Sequence, residues 1–301
     1  MVGVAVVVPT IRPEKHAEFV KAWKELFYSH NALSFTVWDG EKPIVQKEEY
    51  SNARYSITSK QRTLSIDNIM EDYADLIYNF NDGVRNLGFA LIAKRFPEID
   101  VIITLDDDVL PIGDPIQDHL DALDKRVPVS WMSTASRYMR GFPYGVRDEA
   151  EVVLSHGIWR GVADYDAPTQ LVCGNLHSDF YCGIIPKGIY YSQCGMNLAF
   201  KRKMLPWMYF APMGEKVGMD RFADIWCGIV AKRAIDENGW AAVSGYAEVN
   251  HLRASNVFTN LRKESRGIGL NETFWQGDES DPYFALYREK LARWQEFIGG
   301  E

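Results

Sequence analysis

The run VIITL, residues 101–105, is apolar at every position and stops at three consecutive aspartates, Asp106, Asp107 and Asp108. Apolar residues without alternation describe a strand buried on both faces, the habit of a parallel sheet covered by helices above and below. A second such run, Val2 to Val8, ends at Pro9 and leads through Thr10, Ile11 and Arg12 to Pro13, after which Phe19, Val20, Trp23, Leu26 and Phe27 recur at helical spacing. Leu33 to Trp38 predicts a further strand that stops at Asp39-Gly40. Strand, helix and strand in alternation define an α/β fold with a Rossmann-like, mostly parallel central sheet. Ligands of such sheets lie at the carboxyl ends of the strands, here the segment from Pro9 to Arg12, the Asp39-Gly40 turn and the aspartate run.

Further along, helical patterns cover Ile69 to Tyr78 and the segment FNDGVRNLGFALIAKRF, which begins its helix near Asp82 and ends before Pro97. From Trp131 the chain turns aromatic and rich in Gly and Pro, which suits a pocket built from loops. Helical patterns return at Phe222 to Asn238 and at Asp281 to Phe297, the latter read as a C-terminal brace. The chain is expected to form one unit over residues 1–301. Within it, 1–110 bind nucleotide, 111–276 carry the metal, sugar and acceptor part, and 277–301 form the last helix.

At 47% hydrophobic and 25% charged, the 301 residues have the balance of an ordinary globular protein. The net charge of -8 excludes nucleic acid or an anionic membrane surface as partners, since both need a broad positive field. An anionic ligand must therefore meet local positive charge. Val2 to Val8 is too short for a signal peptide or a membrane span, and no other stretch is long enough. Four irregularly spaced cysteines, with no C-x-x-C pair, read as reduced thiols in a cytoplasmic protein.

In an extended chain, residues two apart point the same way, so Asp106 and Asp108 address one ligand while Asp107 faces elsewhere. Two carboxylates at a strand end suit Mn2+ or Mg2+ shared with a diphosphate; the competing account is a solvated acidic turn or a helix N-cap. Arg85 could reach a phosphate or a base edge, or be an ordinary surface arginine. Asp39 could accept from a uracil ring or ribose, or simply make an Asp-Gly turn; Arg12 could serve the ligand or cap the first loop. The segment His251 to Arg266 gathers Arg253, Arg262, Lys263 and Arg266 around one acid, Glu264, and is read as a diphosphate clamp, with His251 as a metal ligand or a packed histidine. Asp224 is a general base, a sugar-hydroxyl partner or an acid favoured at a helix N-terminus. Trp159, Tyr165, Trp207, Tyr209 and Trp226 offer stacking faces for a sugar or fill the core.

The strings VVPTIRP, VWDG, TLDDDV, RGFPYGVR, SHGIWRGVADYDAPTQ, CGMNLAF, MYFAPMG, RFADIWCG and HLRASNVFTNLRKESRGI occur in this order, and with them the chain resembles the reversibly glycosylated polypeptides, or UDP-arabinopyranose mutases, as far as about Gln276. The resemblance implies a GT-A fold that binds a UDP-sugar and a flavin-independent interconversion of UDP-arabinopyranose and UDP-arabinofuranose, with a divalent metal on the aspartate run; with the residue reading above, the expected ligands of Mn2+ or Mg2+ are Asp106, Asp108 and His251. Nucleotide contacts are expected at Pro9, Thr10, Arg12, Asp39, Arg85, Asp106, Asp107 and Lys263. Sugar contacts fall at His156, Trp159, Asp166, Gln170, Asn197 and Trp226, and catalytic roles at Arg140, Arg147 and Asp224. Self-glycosylation on an arginine, which the family is known for, falls on Arg140. Ala223 stands where the family motif carries an acid, and RGFPYGVR departs from the family pattern at Phe142, Tyr144, Gly145 and Val146. A sugar transfer to an external or internal acceptor, and a weakly active subunit supporting a partner, are the competing functions. Assembly with copies of itself is the remaining partner expectation.

Overall fold

The computed structural model describes residues 2–40, 54–58 (backbone only), 72–133, 138–147, 149–174, 180–252 and 256–299. Its elements, in chain order, are β1 (Val4–Thr10), α1 (Pro13–Ser29), β2 (Leu33–Trp38), β3 (Arg54–Thr58), α2 (Asn86–Arg95), β4 (Val101–Leu105), β5 (Val109–Pro111), α3 (Pro115–Leu123), β6 (Arg126–Val127), β7 (Ala150–Gly161), α4 (Ala167–Cys173), β8 (Gly183–Ile185), β9 (Asn197–Lys201), α5 (Ala223–Glu237), β10 (Ala241–His251), α6 (Val257–Phe274) and α7 (Pro282–Gly299). The sheet runs β3-β2-β1-β4-β9-β7-β10-β5, with β6 on β7 and β8 on β10 at its margins. Pairing is parallel through β3, β2, β1 and β4, turns antiparallel at β9, and is parallel again between β7 and β10.

The unbroken apolar runs have the cause inferred from sequence. Along β1, Ala5 and Val7 enter one core with Phe35, Phe89 and Phe200, while Val4, Val6 and Val8 enter a second core with Phe19, Trp23 and Ile103. From Val4 to Val8 every residue of β1, on either face, is thus removed from water, which no alternating strand could tolerate. Pro13 starts α1, whose buried Phe19, Val20, Trp23 and Phe27 cover the second core. The Trp23 indole donates to the Val109 carbonyl at 2.9 Å, tying that helix to the short strand just beyond the aspartate run.

The helix expected over Ile69 to Tyr78 is a single 3-10 turn, Ala74–Leu76, in its described part, and 69–71 lie outside the described residues, as does most of the polar stretch from Glu41 to Arg62. Long-range contacts override the helical pattern. Asp75 is held by Lys290 at 2.6 Å and by Arg293, both on α7, and the Leu76 carbonyl accepts from the Tyr209 hydroxyl at 2.8 Å. The helix expected near Asp82 opens as a 3-10 turn, Asp82–Arg85, before α2. The 18-residue α6 in the basic segment was not foreseen. Among the described residues no helix is long and apolar enough to cross a membrane.

The last helix is built into the main core. Trp294 is fully buried, stacks on Tyr209 at 5.4 Å and donates to the Leu205 carbonyl at 2.8 Å. Trp294→Ala is expected to cost about 3–5 kcal/mol in urea unfolding, the range for deleting a buried aromatic ring together with its cavity.

Candidate active site

A cavity of about 850 Å3 opens at the carboxyl ends of β1, β4, β7 and β10. Arg12, Asp106, Asp108, Trp159 and His251 come to it from those strand ends, Asp224 from the first turn of α5, and Lys263 and Glu264 from α6.

β4 ends at Leu105, so the three aspartates lie in a turn rather than an extended chain, and each meets a different environment. Asp107 is buried under the Thr10 hydroxyl and the Arg12 guanidinium and does not line the cavity, so its assignment, with Thr10, as a nucleotide contact is corrected: both close the turn. Pro9 belongs to β1 and is likewise not on the cavity wall. Asp108 faces the cavity, and one of its oxygens accepts from Arg12 at 3.1 Å. The short β5 then pairs antiparallel with the end of β10, setting Val109 opposite His251. This register brings two residues remote in sequence together, with His251 Nε2 4.0 Å from Asp108 Oδ1. His251 Nδ1 lies 2.8 Å from the Val162 carbonyl, which only accepts, so Nδ1 donates there and Nε2 is the ring nitrogen turned toward Asp108. A carboxylate oxygen and an imidazole nitrogen are the donor types that would hold a divalent cation there. Among the described residues no three His, Cys, Asp or Glu converge as a metal cluster, so Asp108 and His251 are a two-donor pair with Asp106 nearby on the same wall.

Arg85 is 1% exposed and does not reach the cavity. Its Nε donates to the Asp82 carbonyl at 3.1 Å, one terminal nitrogen to Thr104 Oγ1 at 2.5 Å and the Gly195 carbonyl at 2.6 Å, and the other to Asp82 Oδ1 and to Asp106 Oδ1 at 2.8 Å. A guanidinium has five N–H donors. All five are taken, which corrects Arg85 from a phosphate contact to a residue that holds the cavity wall.

Asp224 accepts from the Gly195 and Ile225 amides at 3.0 and 2.9 Å. Its enclosure in the wall, with the charges of Asp82 and Asp164 nearby, pushes its pKa up to about 8, against the pull of the Gly195 amide and Arg85. Burial raises Asp82 as well. Ala223 is buried, and the acids beside Asp224 are these two instead. Asp39 accepts from the Asn81 amide at 3.1 Å, beside the cavity rather than on its wall.

Of the residues expected to hold the sugar, Trp159 and Asp166 line the cavity, Asp166 also capping α4 through the Thr169 amide at 2.9 Å; Gln170 lies on α4 outside the lining. His156, Asn197 and Trp226 are corrected to core positions. Asn197 donates to the Ile158 and Ala247 carbonyls and meets His119 at 2.9 Å, while His156 meets Ser244 at 3.1 Å and accepts from the Cys194 amide. A β-carbon on Gly157 would lie 2.1 Å from the Asn197 side chain, so the SHG and CGMN strings mark a tightly packed pair of antiparallel neighbours, β7 and β9. Trp226 is fully buried, and its indole donates to Asn271 at 3.0 Å, which it presents to the cavity.

The basic segment does not act as one clamp. Lys263 lines the cavity, paired with Asp220 at 2.9 Å; Arg266 turns to Asp281 at 3.0 Å; Arg262 is off the wall, and Arg253 lies outside the described residues. Arg221, not singled out from the sequence although it begins RFADIWCG, does line the cavity. It has a left-handed backbone, φ 66°, and pairs with the buried Glu264 at 2.6 Å. Asp82 was also missed, although its place three residues before Arg85 is a spacing at which side chains meet. Arg140 is exposed and Arg147 packs on the rings of Tyr138 and Tyr144 while donating to the Phe142 carbonyl at 3.0 Å; neither lines the cavity.

The same architecture occurs in glucosyl-3-phosphoglycerate synthase from Mycobacterium tuberculosis, solved in complex with Mn2+, UDP and glucosyl-3-phosphoglycerate, at a TM-score of 0.52 and 12% identity over 91% of this chain and 80% of that one. The fold is thus of the GT-A glycosyltransferase class. Within that class, the model of the reversibly glycosylated polypeptide family matches residues 2–280, and the chain belongs to that family. It is 31% identical to "Probable UDP-arabinopyranose mutase 4" of Arabidopsis thaliana over 94% of this chain and 77% of the relative, and 31% identical to "UDP-arabinopyranose mutase 3" of the same plant over 93% and 76%.

A carboxyl whose folded pKa lies above its ordinary value of 3.8 holds its proton more tightly folded than unfolded. Its contribution to stability is complete below that ordinary value and is lost as pH rises toward about 8. Asp224→Asn lacks this loss, so it should gain stability relative to wild type between about pH 5 and pH 8 in urea unfolding.

Proposed function

We propose that this chain is a metal-dependent, flavin-independent mutase that interconverts UDP-arabinopyranose and UDP-arabinofuranose, using the cavity at the strand ends. The observation that carries the metal-dependent part is electrostatic. Among the described residues nine acidic side chains line the cavity against Arg12, Arg221 and Lys263, and each of those three cations is paired with a carboxylate. A diphosphate entering so negative a cleft needs a cation with it. Asp108 and Nε2 of His251 are donors of the kind that would hold Mn2+ or Mg2+ beside the diphosphate, and the names of the family relatives support the substrate. When bound, the metal neutralises charge on the departing UDP.

The protein side of the chemistry is proton handling. Conversion breaks the bond from C1 to the diphosphate, exchanges the C1–O5 bond for C1–O4, and restores the diphosphate at C1, so no redox equivalent is consumed. O4 must lose a proton and O5 gain one. Asp224, held by two amides and with its pKa raised toward neutrality, can carry that proton between the two oxygens. Trp159, Asp166 and Asn271 line the part of the cavity suited to a sugar face and its hydroxyls.

The direct test is incubation with UDP-arabinopyranose and Mn2+ followed by chromatography; formation of the furanose without acceptor is expected, and hydrolysis to free UDP alone would overturn the mutase reading. Asp108→Asn and His251→Ala should each weaken Mn2+ binding by at least about tenfold in calorimetry while metal-free thermal stability changes little. Arg140, exposed and off the cavity, favours self-glycosylation as a second activity. Arg140→Ala should leave UDP affinity unchanged and abolish the pentose adduct seen by mass spectrometry after incubation with UDP-arabinose.

A further inference from the structure

Phe80 lines the cavity with 73% of its surface exposed. Its backbone is left-handed, φ 61°, a conformation that a bulky residue avoids unless its surroundings impose it. The surroundings do so through the next residue. The Asn81 amide donates to Asp39 at 3.1 Å, and its side chain accepts from the Gly83 amide at 2.8 Å and donates to the Asn79 and Met213 carbonyls at 2.8 and 3.1 Å. The backbone that carries the ring is therefore fixed by a hydrogen-bonded turn. The ring edge lies beside Gly40 at the end of β2, where a β-carbon would sit 3.6 Å from Phe80 Cε1.

The strand order gives this position its meaning. From β2 the sheet passes through β1, which delivers Arg12, to β4, which delivers Asp106, and beyond them to β7 with Trp159 and β10 with His251. With a diphosphate at Asp108 and His251 and a sugar near Trp159 and Asp224, the β2 side remains for the base. No charged side chain is needed there. A flat, exposed ring offers a π face, and base stacking on aromatic rings is a substantial contribution to affinity.

We infer that Phe80 is the stacking platform for the nucleobase of the bound nucleotide diphosphate. The inference rests on the nucleotide reading above and assigns to Phe80 a part of the affinity that the diphosphate does not supply. It is tested by calorimetry of wild type, Phe80→Ala and Phe80→Trp with UDP and with inorganic pyrophosphate, both in Mn2+. Wild type should bind UDP more tightly than pyrophosphate; Phe80→Ala should bind UDP about tenfold or more weakly with pyrophosphate unchanged. Phe80→Trp should retain UDP binding and show fluorescence quenching, beyond that of wild type, with UDP and not with pyrophosphate. Unchanged UDP affinity in Phe80→Ala, or an equal loss for both ligands, overturns the platform while leaving the nucleotide reading standing. A wild type that binds neither ligand overturns both.

Discussion

The buried guanidinium of Arg85 fixes the cavity wall. A single planar group joins the turn at Asp82, the end of β4 at Thr104 and Asp106, and the Gly195 carbonyl before β9, and the Gly195 amide in turn holds Asp224. Burying a guanidinium is costly unless every donor is satisfied, and here the carboxylates of Asp82 and Asp106 supply the opposing charge. The aromatic face of Phe210, 4.9 Å from the guanidinium carbon, closes one side. Gly195 itself has to be glycine, since a β-carbon there would approach the Arg85 nitrogen to 2.9 Å. The orientation of Asp106 and the environment of Asp224 are both consequences of this arrangement.

Those parts of the molecule that follow from local rules could be read along the chain. Apolar runs ending in polar residues located β1, β2 and β4, and the strand-end rule placed Arg12, Asp106 and Asp108 on the cavity. What could not be read is whatever depends on a partner distant in sequence. Arg85 is a ligand-seeking residue or a structural one according to whether Thr104 and Gly195 lie beside it, and nothing near Arg85 in the chain says so. His156 and Asn197 stand in distinctive strings for the same reason, because two neighbouring antiparallel strands pack closely there and accept few other residues. The aspartate run shows a third limit: the two-residue alternation holds only while a strand continues, and this one ends at Leu105.

The basic segment after His251 illustrates how composition misleads once a helix forms. Along α6 successive residues turn by about 100°, so neighbouring cations leave on different faces. Lys263 reaches the cavity, Arg266 reaches Asp281 at the base of α7, and the acid between them, Glu264, is drawn inward to Arg221 and to the Ala167 amide at 2.6 Å. The single acid of that run is thus the residue that ties α6 to α4 and to the turn before α5. Arg221, outside the run, takes the place on the wall that the run seemed to promise to its own arginines.

These pairings determine how the cleft can accept an anion. Among the described residues, the cations on the wall are Arg12, Arg221 and Lys263, each already paired with a carboxylate, so a diphosphate gains little from them unless a carboxylate is displaced or a metal enters with it. Asp108 is where both routes meet, since the oxygen bound by Arg12 and the oxygen facing His251 belong to one carboxylate. A cation taken up between Asp108 and His251 would weaken the hold of Asp108 on Arg12 and leave the guanidinium more available to phosphate oxygens. On the proposed metal-dependent reading, metal and nucleotide binding would be coupled by that competition, and the acids nearer Asp224 would be left to move a proton among hydroxyls instead of balancing phosphate charge.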